Sequence, residues 1–293
     1  MYTVSAHVND LGVVTVPLDP TPGAKFPLRP DAINAALSAD QDIKLVYVCS
    51  PGNPTGALVD PNHIKALLDH PTWNGVVAID EAYVDFAGEG ASLAHWVTAY
   101  PNLVVMQTLS KAYGLAGIRL GAAFCSPQVA HLLNNLKAPY SISTPTSIIA
   151  STALQPQSLV FVKRNIQAIL AQRQRLLVEL PQIPGIGRFR GGTDANFLLV
   201  EILDRPHSPL GGGNPDNSVA AKLYQRLAET MGVVIRFRGN EAGCMGCLRI
   251  SVGTENENTT LLSKVRECLE HIYAEAVCGS LSLGPRSVEK NKK

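Results

Sequence analysis

What the sequence lacks closes several classes at once. No apolar run reaches the roughly 18 residues that a membrane-spanning helix needs, so no membrane partner is expected. There is no charge excess: 25 Lys and Arg against 24 Asp and Glu leave a net charge of +1. That is no electrostatic footprint for nucleic acid or an anionic surface. The opening residues, MYTVSAHVND, hold no basic segment followed by an apolar one, so no secretory leader is read there. Six cysteines in 293 residues do not make a disulfide framework. Cys244 and Cys247 form a CxxC, but a zinc site needs two more ligands at workable spacing. Cys268 and Cys278 lie a helix-length away, and the seven histidines form no HxxxH pair. Reduced thiols, no metal and a cytoplasmic location are therefore expected. Neither GxGxxG nor GxxxxGK[ST] follows any candidate strand, which argues against a nucleotide-binding α/β protein.

What is present is an apolar chain, 46% hydrophobic, with the texture of a globular fold. Short, mostly Val-rich runs at 13–17, 44–49, 75–80, 103–109 and 120–125 read as buried strands bounded by turn residues. Amphipathic segments separate them. Asp60-Pro61 is a helix entry, an N-cap with proline in first position, and Ser126-Pro127 repeats it. Strands alternating with helices predict an α/β domain, a mostly parallel sheet sandwiched by helices, over residues 1–145. The texture then changes. Helices are expected at 146–154, 160–180, 218–231 and 258–276, and strands at 196–201, 233–237 and 248–252. That pattern predicts a smaller α+β domain over 146–278. Residues 207–217, HSPLGGGNPDN, read as a mobile surface loop, and 279–293 as a disordered polar tail.

In a parallel sheet, ligands collect beyond the carboxyl ends of the strands. After 44–49 comes SPGNPTG, centred on Asn53; after 75–79 comes Asp80-Glu81-Ala82-Tyr83; after 103–109 comes Ser110-Lys111. Alone, a Ser-Lys is a surface pair, Asn-Pro-Thr-Gly is a turn, and an Asp at a strand end is a helix cap. Together, each following a successive strand, they meet the needs of pyridoxal phosphate. Its aldehyde takes a lysine amine. Its ring nitrogen needs a carboxylate, its phenolate oxygen takes donors such as a phenol and an amide, and its phosphate suits a hydroxyl and a guanidinium. TLSKAYGLAGIRLG, residues 108–121, holds only one Lys and one Arg, eight residues apart. A loop buried against the cofactor explains so few charges: Lys111 on the aldehyde, Ser110 and Arg119 on the phosphate, and small residues letting the backbone pass close to the ring.

NPTG, DEAY and SKAYGLAGIRLG together resemble the signature set of fold-type I aminotransferases. VYVCSPGNPTG, AIDEAYVDF, TLSKAYGLAGIRLG and GCLRISVGT narrow the likeness to the histidinol-phosphate aminotransferase family, over nearly the whole chain to about residue 276. The resemblance implies that Asn53 and Tyr83 bond the cofactor's ring oxygen and that Asp80 pairs with its ring nitrogen. Ser110 and Arg119 take its phosphate, and Lys111 serves as both anchor and general base. It implies that Arg249 grips the acidic group of the substrate, with Arg236 as a second anion-binding arginine and Asn196 nearby. For Arg236 and Asn196 a solvated arginine and a turn asparagine remain alternatives. It further implies transamination of histidinol phosphate with 2-oxoglutarate in histidine biosynthesis, by a homodimer.

The family's pattern includes an upstream arm, a phosphate-cradling loop at a helix N-terminus, two strands and a ring-stacking tyrosine. MYTVSA resembles the stretch just after that tyrosine. The expectation is a chain shortened at its N-terminus, with a raw sheet edge and poor activity alone. The competing expectations are an aminotransferase for aromatic or other amino acids, a phosphothreonine decarboxylase relative, and a cofactor-free remnant acting only as an interaction protein.

Overall fold

The parallel strands form where Val and Ile dominate. In the computed structural model, which describes residues 2–21, 23–206 and 212–281, β1 (Leu45–Cys49), β2 (Val76–Asp80) and β3 (Leu103–Thr108) lie side by side. β1 and β2, and β2 and β3, pair in parallel, while β4 (Gly121–Phe124) runs antiparallel to β3. Helices α1 (Tyr2–Val8), α2 (Pro30–Ala39), α3 (Pro61–Leu68), α4 (Pro127–Leu136) and α5 (Thr144–Ala153) complete the first of two compact units. That unit takes in the chain through Ala153 except Pro54–Gly56. The expected boundary at 145/146 falls within α5.

Register explains which face carries the core. Val46 pairs with Val77 and Val48 with Ile79. These residues cluster with Leu103 and Val105, with Ile33 and Leu37 of α2, and with Ile64 and Leu67 of α3. A fully buried side chain of this kind contributes about 1.5–3 kcal/mol. Residues of opposite parity, Tyr47, Cys49, Ala78 and Asp80, occupy the other face. α3 starts as its sequence predicts: Asp60 caps it by accepting from Asn62 N–H at 2.8 Å, with Pro61 in first position. Ser126 stands at the N-cap of α4 but makes no side-chain cap.

The strand expected at 13–17 does not form. Val13 and Val14 are exposed, and Val16 and Leu18 rest on the core cluster without joining a ladder. A Val-rich run becomes a strand only where a neighbouring edge takes its hydrogen bonds.

The second unit comprises Pro54–Gly56 and the chain from Leu154. Its elements are α6 (Pro156–Glu179), β5 (Ile186–Arg190), β6 (Phe197–Ile202), α7 (Asn217–Thr230), β7 (Arg236–Phe237), β8 (Cys247–Ser251) and α8 (Glu255–Leu281). The sheet order is β5-β6-β8-β7, antiparallel throughout. Its core joins Leu198, Val200, Leu248 and Ile250 to Leu176 of α6, Leu223 and Leu227 of α7, and Val265 and Leu269 of α8. β7 is shorter than the expected 233–237. Val233 N–H instead closes the end of α7 on Leu227 C=O at 2.8 Å, with Gly232 at φ +69°. α8 runs to Leu281, so 279–281 are helical rather than tail. The rest of the expected tail, and 207–211 of the expected mobile loop, lie outside the described residues. The loop's other end is ordered by a bridge between Leu203 and Pro215.

Candidate functional site

Because β1, β2 and β3 are parallel, their carboxyl ends share one rim. Asn53 follows β1, Asp80 ends β2 with Tyr83 three residues on, and Ser110 and Lys111 follow β3. The spacing of Lys111 and Arg119 now has a cause. β3 and β4 pair Thr108 with Gly121, and Leu109 N–H reaches Leu120 C=O at 3.3 Å. The segment between is a closed loop, and Ser110, Lys111 and Arg119 stand at its two feet. Inside it Gly114 N–H bonds Lys111 C=O at 3.0 Å and Leu115 N–H bonds Leu109 C=O at 3.0 Å. Arg119 sits at φ +54°, and its Nη1 donates to Ala116 C=O at 3.1 Å.

Much of the loop is left open by the described residues. Lys111, Gly114, Ala116, Gly117 and Arg119 are all exposed. Its sparse charge thus leaves small and apolar groups open rather than packed under other side chains. Lys111 Nζ lies 5.3 Å from the centroid of the Tyr83 ring, within cation–π range. Ser110 Oγ accepts from Thr108 Oγ1 at 2.9 Å, and Ser110 N–H donates back to Thr108 Oγ1 at 3.1 Å. Asp80 Oδ1 accepts from Ala82 N–H at 3.0 Å, while its Oδ2 accepts from the hydroxyls of Tyr2 and, at 3.3 Å, Tyr47.

One buried charge behind this rim escaped the sequence reading. Glu81 is 2% exposed. Its carboxylate accepts from Leu93 N–H at 2.6 Å, Ser92 Oγ at 2.6 Å and Gln107 Nε2 at 2.8 Å. It ties the end of β2 to β3 and to the segment at 92–93, so the residue beside Asp80 is fixed on three sides. Glu81→Ala is expected to destabilise the chain by about 3 kcal/mol, because it strands donors that burial has cut off from water. Urea unfolding checks this. Asp85, on the same segment, has its carboxyl pushed up by burial, with the charge of Glu81 adding to the shift. A folded-state pKa raised above the unfolded value favours the protonated form. The stability it confers is full below the unfolded value near 4 and is lost as pH rises through the folded value. Asp85→Asn is therefore expected to stabilise the protein at pH 7 and to lose that advantage at pH 4, measured by unfolding at both.

In the second unit β7 and β8 set Arg236 directly opposite Arg249. Directly opposed residues share a sheet face, so two guanidinium-bearing side chains project from neighbouring strands on one side. Arg249 Cζ also sits 5.0 Å over the Phe197 ring. Asn196 immediately precedes β6, and its carbonyl accepts from Val252 N–H at 2.9 Å. Cys244 and Cys247 are buried free thiols. The hydrogen bond with Cys244, then burial, holds the Cys247 thiol well above the usual range. Among the described residues no group of His, Cys, Asp and Glu is arranged to hold a metal ion.

The family model for aminotransferase class I and II matches residues 1–265. Histidinol-phosphate aminotransferase of Schizosaccharomyces pombe is 50% identical over 275 residues, covering 94% of this chain and 70% of its own length. The chain belongs to the class I and II aminotransferases, in the histidinol-phosphate aminotransferase family.

A second family member, histidinol-phosphate aminotransferase of Saccharomyces cerevisiae, is 47% identical over 277 residues, 94% of this chain and 68% of the relative. The crystal structure of histidinol-phosphate aminotransferase from Sinorhizobium meliloti, in complex with pyridoxal-5'-phosphate, superposes with a TM-score of 0.78 at 24% identity. It covers 92% of this aminotransferase and 68% of that chain, and it shows the shared fold. Two residues at the rim, Tyr2 and Tyr47, were missed from sequence. Tyr47 was within reach: it stands two positions before Cys49, which pairs with Asp80, so strand alternation puts it on the Asp80 face.

Proposed function

We propose that this aminotransferase converts L-histidinol phosphate and 2-oxoglutarate to imidazole-acetol phosphate and L-glutamate, with pyridoxal phosphate as cofactor, in L-histidine biosynthesis. The observation that carries this reading is the loop closed by β3 and β4, which returns Arg119 to the side of Ser110 and Lys111 on the rim that holds Asp80. The donor set fits the cofactor: an amine, a carboxylate, a phenol, an amide, a hydroxyl and a guanidinium, all from one unit.

Bound there, pyridoxal phosphate supplies an aldehyde and a protonated ring that draws electrons from the substrate carbon. Lys111 would hold the cofactor's aldehyde through Nζ. The same Nζ would be the base for the proton on the substrate carbon. Asp80 keeps the ring nitrogen protonated through an ionic hydrogen bond. Tyr83 and Asn53 donate to the ring oxygen, and Ser110 and Arg119 hold the phosphate. Arg249 and Arg236 take the acidic group, the phosphate of histidinol phosphate or a carboxylate of 2-oxoglutarate, and Asn196 is assigned to the substrate. Two cations opposed across a ladder repel one another, and a bound dianion relieves that repulsion.

The same reading takes the enzyme as a cytoplasmic homodimer. In its support, Leu132, Leu133 and Leu136 of α4 are large exposed apolar side chains that a second copy can cover, and among the described residues no helix is long and apolar enough to cross a membrane. The test of substrate is glutamate formation from histidinol phosphate and 2-oxoglutarate with added cofactor, compared with phenylalanine as amino donor. Preference for histidinol phosphate is expected; preference for phenylalanine overturns the assignment.

A further inference from the structure

We propose that Tyr2 and Tyr47 are positioning residues for Asp80, two phenol donors that fix its ionised carboxylate for the cofactor's ring nitrogen. The inference rests on the cofactor reading above and adds two residues to it. Asp80 ends β2 and pairs in register with Cys49; Tyr47 lies two residues earlier on β1 and so shares its face. α1 brings Tyr2 to the same place. The rings of Tyr2 and Tyr47 lie with centroids 3.8 Å apart at 35°, and both hydroxyls point at a single oxygen, Oδ2. Oδ1 is held separately by Ala82 N–H at 3.0 Å.

An ionised carboxylate has about four acceptor positions. Three are filled here by donors of this chain, which leaves about one for a further N–H. A ring nitrogen is protonated only while its partner stays ionised, and hydrogen bonds to the charged form favour that form. The phenols are suited to the task because they stay protonated. Burial and then the bond to Asp80 push the Tyr2 hydroxyl up to about 12, and burial followed by the bond with Tyr2 raises Tyr47 further. The one other titratable group that feels the Asp80 charge from the paired strand is Cys49. Burial first, then Asp80, pushes its thiol up to about 11, so it stays neutral and does not compete.

The test separates the hydroxyls from the rings. Tyr2→Phe and Tyr47→Phe keep the ring contact and remove only the donors, so thermal unfolding of either variant should match that of the unsubstituted chain closely. Cofactor affinity is then measured by absorbance titration with pyridoxal phosphate across pH 5–9. Each single variant is expected to bind about 5-fold more weakly at pH 7.5, and the double variant about 20-fold. Unchanged affinity in both single variants and in the double variant overturns the inference alone. Tighter binding by Tyr2→Phe also overturns it and makes Tyr2 an obstruction. Should Tyr2→Phe fail to fold, Tyr47→Phe decides by the same readings. No cofactor uptake by the unsubstituted chain overturns the proposed function, and this inference with it.

Discussion

Lys111→Ala is expected to lower transamination at least about 1,000-fold while leaving the fold intact. On the proposed reading two roles end together: the amine that would hold the cofactor's aldehyde and the base that would move the substrate proton. General-base assistance alone is worth about 100- to 10,000-fold, and loss of the covalent attachment adds to it. Stability should hardly move. Lys111 is exposed, and its amine lies 5.3 Å from the Tyr83 ring. A surface change of this kind shifts stability by about 0.5 kcal/mol or less. The measurements are initial rates of glutamate formation and urea unfolding of both proteins. A variant keeping a tenth of the activity would remove Lys111 from the chemistry. A variant that unfolds early would show that the position is structural.

The arginine pair makes the second large prediction, and its sign differs between function and stability. Arg236 and Arg249 face each other across β7 and β8. Each charge-assisted bond to a phosphate is worth about 1.5–3 kcal/mol. Arg249→Ala is therefore expected to raise KM for histidinol phosphate about 10- to 150-fold. Arg236→Ala is expected toward the lower end of that range, since Arg236 is the more exposed of the two. Without ligand, the prediction for Arg236→Ala reverses. Like charges directly opposed destabilise a ladder by about 0.2–1 kcal/mol, so the variant should unfold slightly later than the parent. Excess inorganic phosphate should then stabilise the parent more than the variant. Isothermal titration with histidinol phosphate and thermal unfolding with and without phosphate read both effects. Equal KM values for parent and variants would detach this pair from the substrate.

The parts of this fold that were legible in sequence are those whose signal is local. β1, β2 and β3 announce themselves because buried parallel strands need unbroken Val and Ile, and α3 because Asp60 and Pro61 do the work of a helix start within two residues. What failed depends on partners far along the chain. Residues 13–17 have the composition of a strand but join no strand among the described residues. β5, with the sequence IGRFR, has neither a clean alternation nor an apolar run, and exists because β6 offers it an edge. β7 loses three expected residues because α7 needs Val233 to finish its last turn.

The candidate site divides in the same way. Asn53, Asp80, Tyr83, Ser110 and Lys111 could be put on one rim from sequence because each lies at, or a few residues past, the end of an apolar run. The return of Arg119 to the foot of the loop required the β3–β4 pairing, and the opposition of Arg236 and Arg249 required the β7–β8 register. Glu81 was passed over beside Asp80, although a second carboxylate there marked a group either solvated or fully paired. It is fully paired, with Ser92, Leu93 and Gln107. Tyr2 carried no signal, since nothing in its own segment shows that α1 turns its hydroxyl toward Asp80.

The most direct test of the central claim is chemical. The chain is incubated with pyridoxal phosphate, reduced with borohydride, digested and mapped by mass spectrometry. The cofactor's mass is predicted on the peptide carrying Lys111, at that residue alone, and absent from Lys111→Ala. Label on another lysine, or on none, would contradict the assignment of Lys111 and the reading built on it.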